Sequence, residues 1–118
     1  MNYHNESTDR LCEAILSLKN ADECYRFLED AFTIKEILEI SQRLEVARLL
    51  HNNMSYQKIS KKTGMSTATI SRVSKCLTYG SDGYKLVIER LPKLPPEPED
   101  EKPSDPEKRP GRKRKTEN

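Results

Sequence analysis

The sequence predicts an all-α fold, and three observations carry that expectation. No proline occurs before Pro92, glycine before that point occurs only at 64, 80 and 83, and alternation of period two is scarce. Asn20 with Glu23, and Thr33 with Glu36, each fit a capping box, in which the cap side chain takes an orphan N–H and the Glu reaches back. Apolar residues otherwise recur at three- and four-residue spacing.

Six helices follow in order. The first is expected over about residues 8–19, with Leu11, Ile15 and Leu18 on one face. The second, over 21–32, carries Cys24, Tyr25, Leu28, Ala31 and Phe32. The third, over 34–51, carries Ile34, Ile37, Leu38, Leu44, Ala47 and Leu50 near helical spacing and ends at Asn52-Asn53. Ser55 caps a short fourth helix over 56–62, and Ser66 caps a fifth over 67–79. Gly80 stops the fifth, Ser81 or Asp82 opens a sixth, and Pro92 closes it.

Composition bounds the rest. The chain has 118 residues, with 34% hydrophobic, 34% charged and no Trp. That is lean for a self-sufficient core, so burial against a second copy is expected. All seven prolines lie between Pro92 and Pro110, while all seven aromatic residues lie at or before Tyr84. The expected organisation is therefore a flexible start over 1–7, a helical domain over 8–91 and a disordered tail over 92–118. The tail divides into an acidic, Pro-rich block, 97–107, and a basic run, 108–115, "KRPGRKRK". That run vaguely resembles an AT-hook, although a solvated polycation is the simpler reading.

Cys12, Cys24 and Cys76 are odd in number and lack CxxC spacing, which points to reduced thiols rather than disulfides or zinc ligands. No stretch is apolar enough to span a membrane and no leader opens the chain, so a cytoplasmic protein is expected.

The net charge of +2 conceals a split. Residues 1–45 hold ten acids and five bases, whereas residues 46–81 hold six bases and no acid. Such a segment suits a polyanion. Within it, two short helices meet across Gly64, which is the pattern of a helix-turn-helix. Ile59 and the small Ser60 fit the crossing, Gly64 suits a left-handed turn, and Met65 plugs the corner. Ile70 and Val73 give the fifth helix a narrow apolar stripe. Its leading turn, Ser66, Thr67, Ala68 and Thr69, is small enough for close approach to a DNA major groove. Hydroxyls and helix-start N–H groups there can meet phosphates or base edges. Gln57 can reach a phosphate or an adenine edge, and Tyr56 either binds a phosphate or packs on the third helix. Ser71 and Lys75 lie on the polar side. Arg72 serves a phosphate, a ligand or a nearby acid such as Glu45.

The run "QRLEVARLLHNNMSYQKISKKTGMSTATISRVSKCL" resembles the bacterial tryptophan repressor. More closely, "LSLKNADECYRFLEDAFTIKEILEISQRLEVARLL" together with "GMSTATISRV" resembles the Trp repressor-like family of YerC/YecD type, over about residues 10–90. The resemblance implies an intertwined homodimer of six-helix subunits whose helix-turn-helices meet successive major grooves. It also implies a corepressor site between two arginines, beside a glycine that admits an indole. Arg72 falls on the second arginine, Gln42 on the first, and Val73 on the glycine. Arg43 stands one place along, turned about 100° away on a helix. A charge and a volume are both lost, so no tryptophan corepressor is expected.

The resulting expectation is a sequence-specific regulator of transcription, acting as a repressor by steric occlusion. Its DNA-binding residues are Tyr56, Gln57, Ser66, Thr67, Ala68, Thr69, Ser71, Arg72 and Lys75. The alternative is an architectural or replication-associated protein that coats DNA with low specificity. No nucleophile–base set, glycine-rich phosphate loop or metal-ligand spacing points to an enzyme or to a cofactor.

Overall fold

The structure is a computed structural model, which describes residues 2–93. The expected tail features from Leu94 onward, including the acidic and basic runs, lie outside the described residues. The described residues up to Ile88 form one compact unit. Among the described residues there are six helices and no strand: α1 Glu6–Leu16, α2 Ala21–Ala31, α3 Ile34–His51, α4 Tyr56–Thr63, α5 Thr67–Tyr79 and α6 Gly83–Arg90.

Local hydrogen bonding sets these bounds. At Thr33 the Glu36 N–H donates to Thr33 Oγ1 at 3.1 Å, and the Thr33 N–H donates to Glu36 Oε1 at 2.9 Å. This is the expected reciprocal box, and α3 spans the expected residues. At Asn20 only half of the box forms. The Glu23 N–H donates to Asn20 Oδ1, but Glu23 Oε1 accepts from the Lys19 N–H at 2.8 Å. That bond ties the link before α2 rather than the cap itself.

The first helix differs from expectation at both ends. It starts earlier because Asn5 caps it, accepting from the Thr8 N–H, while Thr8 Oγ1 accepts from the Asn5 N–H. It stops at Leu16 because Ser17 turns back on the preceding helix, its hydroxyl donating to the Ala14 carbonyl at 2.7 Å. The second helix ends one residue early, at Ala31, with Phe32 extended, and the fourth runs one residue further, to Thr63. Before α6, Asp82 adopts φ 64°, so the chain turns there and the helix begins at Gly83.

The core lies where α3, α4 and α5 converge. Val46, Ala47, Leu49, Ile59, Ile70 and Val73 are its buried apolar residues. The helix α5 touches both α3 and α4, and α3 also touches α4 and α2. Of the set expected on the third helix, Ala47 is buried, whereas Leu44 and Leu50 are half-buried and Ile34 and Leu38 are exposed. Apolar residues fall on several sides of α3, so periodicity alone does not select the side that α4 and α5 cover. The helices α1, α2 and α6 bury no residue fully.

Gly64 joins α4 to α5 with φ 77°, in the left-handed region that a side chain disfavours. A Cβ at this position meets nothing within 4 Å. Only backbone strain opposes a substitution there, so Gly64→Ala is expected to lower stability by about 1–2 kcal/mol. Urea denaturation checks this, and an unchanged midpoint would show that the turn relaxes freely.

Candidate nucleic-acid interface

Two caps present the interface. The Lys58 N–H donates to Ser55 Oγ at 3.1 Å, which places Tyr56 and Gln57 at the exposed start of α4. The Thr69 N–H donates to Ser66 Oγ at 3.1 Å, and the Ser66 hydroxyl donates to Thr69 Oγ1 at 3.1 Å. The leading turn of α5 is thereby fixed, with Ser66, Thr67 and Ala68 exposed and Thr69 half-buried.

Helical geometry sorts the side chains. Ile70 and Val73 define the inner side of α5, both at 2% exposure or less. Ala68, Ser71, Arg72 and Lys75 stand three and four residues apart, so they share the opposite side. Arg72 and Lys75 are exposed and Ser71 is half-buried. Thr67 forms the tip. Thr69 is not part of that outward group, since it turns towards α3. On α4, Gln57 and Lys61 share a face by the same spacing. A sequence reading treats Lys61 as a solvated lysine; its spacing from Gln57 is the signal that adds it to the site.

The charges separate into committed and uncommitted groups. Arg48 lies 3.6 Å from Glu45, a pair that crosses the edge of the acid-free segment. Arg72 was expected to find a phosphate or an acid such as Glu45. Glu45 instead meets Arg48, and Arg72 makes no ion pair among the described residues. Lys61 and Lys75 make none either. Three exposed cations without an ion-pair partner among the described residues, beside a helix start rich in N–H and O–H donors, form a surface suited to anionic oxygens.

A cleft of about 370 Å³ opens beside this surface, between α3 and α5. Glu39, Gln42 and Arg43 line it from α3, Thr69, Arg72, Val73 and Cys76 from α5, and Met65 and Tyr84 complete it. Arg43 therefore borders the cleft together with Gln42, although one step along a helix separates them by about 100°. Two arginines, Arg43 and Arg72, therefore line it. Glu39 adds an acid there, and Val73 is packed at its wall.

The turn itself is held by side chains that charge and periodicity do not single out. The Ser60 hydroxyl donates to the Met65 carbonyl at 2.8 Å. The Thr63 hydroxyl donates to the Ile59 carbonyl at 2.7 Å and accepts from the Met65 N–H at 3.1 Å. The three cysteines are free and exposed. Among the described residues, no group of three or more His, Cys, Asp or Glu side chains is placed to hold a metal ion. No helix among them is long and apolar enough to cross a membrane.

The comparisons agree with this architecture. The family model described as Trp repressor protein matches residues 6–92. The Bacillus subtilis protein YerC, itself uncharacterized, is 54% identical over 83 residues, covering 70% of this chain and 80% of that protein. A TrpR-like protein from Eubacterium eligens superposes with a TM-score of 0.70 at 55% identity, over 73% of this chain and 89% of that one. A candidate Trp repressor from Staphylococcus aureus gives a TM-score of 0.71 at 42% identity, over 74% and 87%.

Proposed function

Because this chain belongs to the Trp repressor protein family, we propose that it is a sequence-specific DNA-binding regulator of transcription, acting as a repressor by occluding its site. One observation carries the reading. A capped helix, α5, turns Ile70 and Val73 fully inward while its small, hydroxyl-rich leading turn stays open on an acid-free helix pair. That turn is the part of a helix-turn-helix that enters a major groove. Thr67, Ala68 and Ser71 meet base edges or phosphates, and Lys61, Arg72 and Lys75 meet phosphates. Gln57 and Tyr56 extend the contact from α4, and Ser66 and Thr69 hold the turn in place. No chemical step is assigned to the protein. Chromosomal DNA as target places it in the cytoplasm, at the nucleoid.

The regulator works as a homodimer. In the single chain Leu16 is 82% exposed, Ile34 66%, Tyr25 62% and Leu38 55%, and a second copy packed on α1, α2 and the start of α3 would take these side chains out of water. A second copy covering α1, α2 and the first half of α3 leaves α4 and α5 free for DNA. Sedimentation equilibrium at micromolar concentration is expected to show a dimer, and a lone monomer would overturn this part of the reading.

Tryptophan does not govern the activity. The Val73 side chain occupies the wall of the cleft, and Glu39 and Gln42 change its charge balance despite Arg43. Calorimetry with millimolar tryptophan is expected to show no saturable heat, and a saturable isotherm would reverse this conclusion.

Thr67→Glu sets a carboxylate against phosphates while keeping a residue that a helix start tolerates. Genome-wide pull-down of bound DNA is expected to recover discrete sites with the wild type and none with the variant. Sites that persist in the variant would remove α5 as the reader. Uniform coating by the wild type would favour the architectural alternative instead.

A further inference from the structure

The link between the two short helices consists of Gly64, Met65 and the cap Ser66. Gly64 is conformationally permissive, so the turn needs something else to fix its angle. Met65 supplies the handle. Both of its peptide groups are held by hydroxyls of α4: its N–H by Thr63 Oγ1 at 3.1 Å, and its carbonyl by Ser60 Oγ at 2.8 Å. Thr63 is itself anchored, since its own proton goes to the carbonyl of Ile59, a core residue at 0% exposure. The Gly64 N–H adds a bond to the Ser60 carbonyl at 2.8 Å. The next residue along is Ser66, whose side chain organises Thr69 and so the open turn of α5.

We infer that Ser60 and Thr63 are positioning residues, whose hydroxyls clamp Met65 to α4 and set the angle at which the leading turn of α5 meets DNA. The inference rests on the DNA-binding reading above. Neither residue touches DNA; each acts through Met65. Both side chains are half-buried, so water competes weakly for these bonds. The clamp matters more for discrimination than for attraction. Attraction to any duplex comes from the cations, whereas distinguishing one sequence from another needs the turn held in register with base edges.

The test uses the full chain as wild type, Ser60→Ala, Thr63→Val and Thr63→Ser. Each is measured for affinity to the duplex that the wild type selects from a random pool, for affinity to a mixed-sequence duplex, and for amide exchange at Met65. Ser60→Ala and Thr63→Val are expected to weaken binding to the selected duplex about ten-fold, the effect of one hydrogen bond. Binding to the mixed duplex should change by less than about two-fold, because the phosphate contacts are intact. Thr63→Ser keeps the hydroxyl without adding bulk and should keep the wild-type discrimination. The Met65 amide should exchange at least about ten-fold faster in Thr63→Val.

Equal losses on both duplexes, or unchanged discrimination in Ser60→Ala and Thr63→Val, would overturn the inference. If the wild type selects no sequence at all, the DNA reading fails instead. The clamp is then decided by Met65 exchange alone: acceleration in Thr63→Val upholds it, and an unchanged rate refutes it.

Discussion

The structure depends on one packing contact, the meeting of Ile59, Ile70 and Val73 with the end of α3. These three side chains are all but absent from the surface, as are Val46, Ala47 and Leu49 of α3, the helix that both α4 and α5 touch. Burying one such side chain is worth about 1.5–3 kcal/mol, and the group is small, so each member matters. The contact also dictates everything outside it. With Ile70 and Val73 turned inward, helical geometry leaves Ala68, Ser71, Arg72 and Lys75 facing away. With Ile59 inward, Gln57 and Lys61 face away too. The candidate interface is thus the reverse side of the core.

Electrostatics then divides that reverse side by function. Glu45 engages Arg48 at the boundary of the acid-free segment, which keeps one acid–base pair away from the open turn. Arg72, Lys61 and Lys75 have no internal acid to satisfy among the described residues, so their charge is available to an outside partner. The cleft between α3 and α5 shares Arg72 with this surface. Whatever fills the cleft therefore alters the neighbourhood of the open turn as well.

Much of this was legible in the residues, for identifiable reasons. The bounds of α3 and α5 follow from Thr33, Glu36, Ser66, Asn52 and Gly80, because caps and breakers act locally. The left-handed turn at Gly64 and the inward pair Ile70 and Val73 follow from spacing. The start of α1 was not legible from the same rule, because its box uses Thr8 where a Glu or Gln is the usual signal. The buried side of α3 was misjudged at Val46 and Leu49, since only the arrival of α4 and α5 selects it. The Arg48–Glu45 pair, the place of Arg43 at the cleft and the clamp on Met65 depend on distances that spacing does not encode.

The separation between the inward and outward sides of α5 has a consequence for how such a protein diversifies. Ala68, Ser71 and Lys75 lie on the side of α5 opposite the buried Ile70 and Val73, so changes there cost the fold little. A lineage can therefore alter the outward side of this helix at three positions without passing through unstable intermediates. Thr69, Arg72 and Cys76 are different, because they border the cleft and answer to two neighbourhoods at once. Evolution is free along one edge of the helix and constrained along the other.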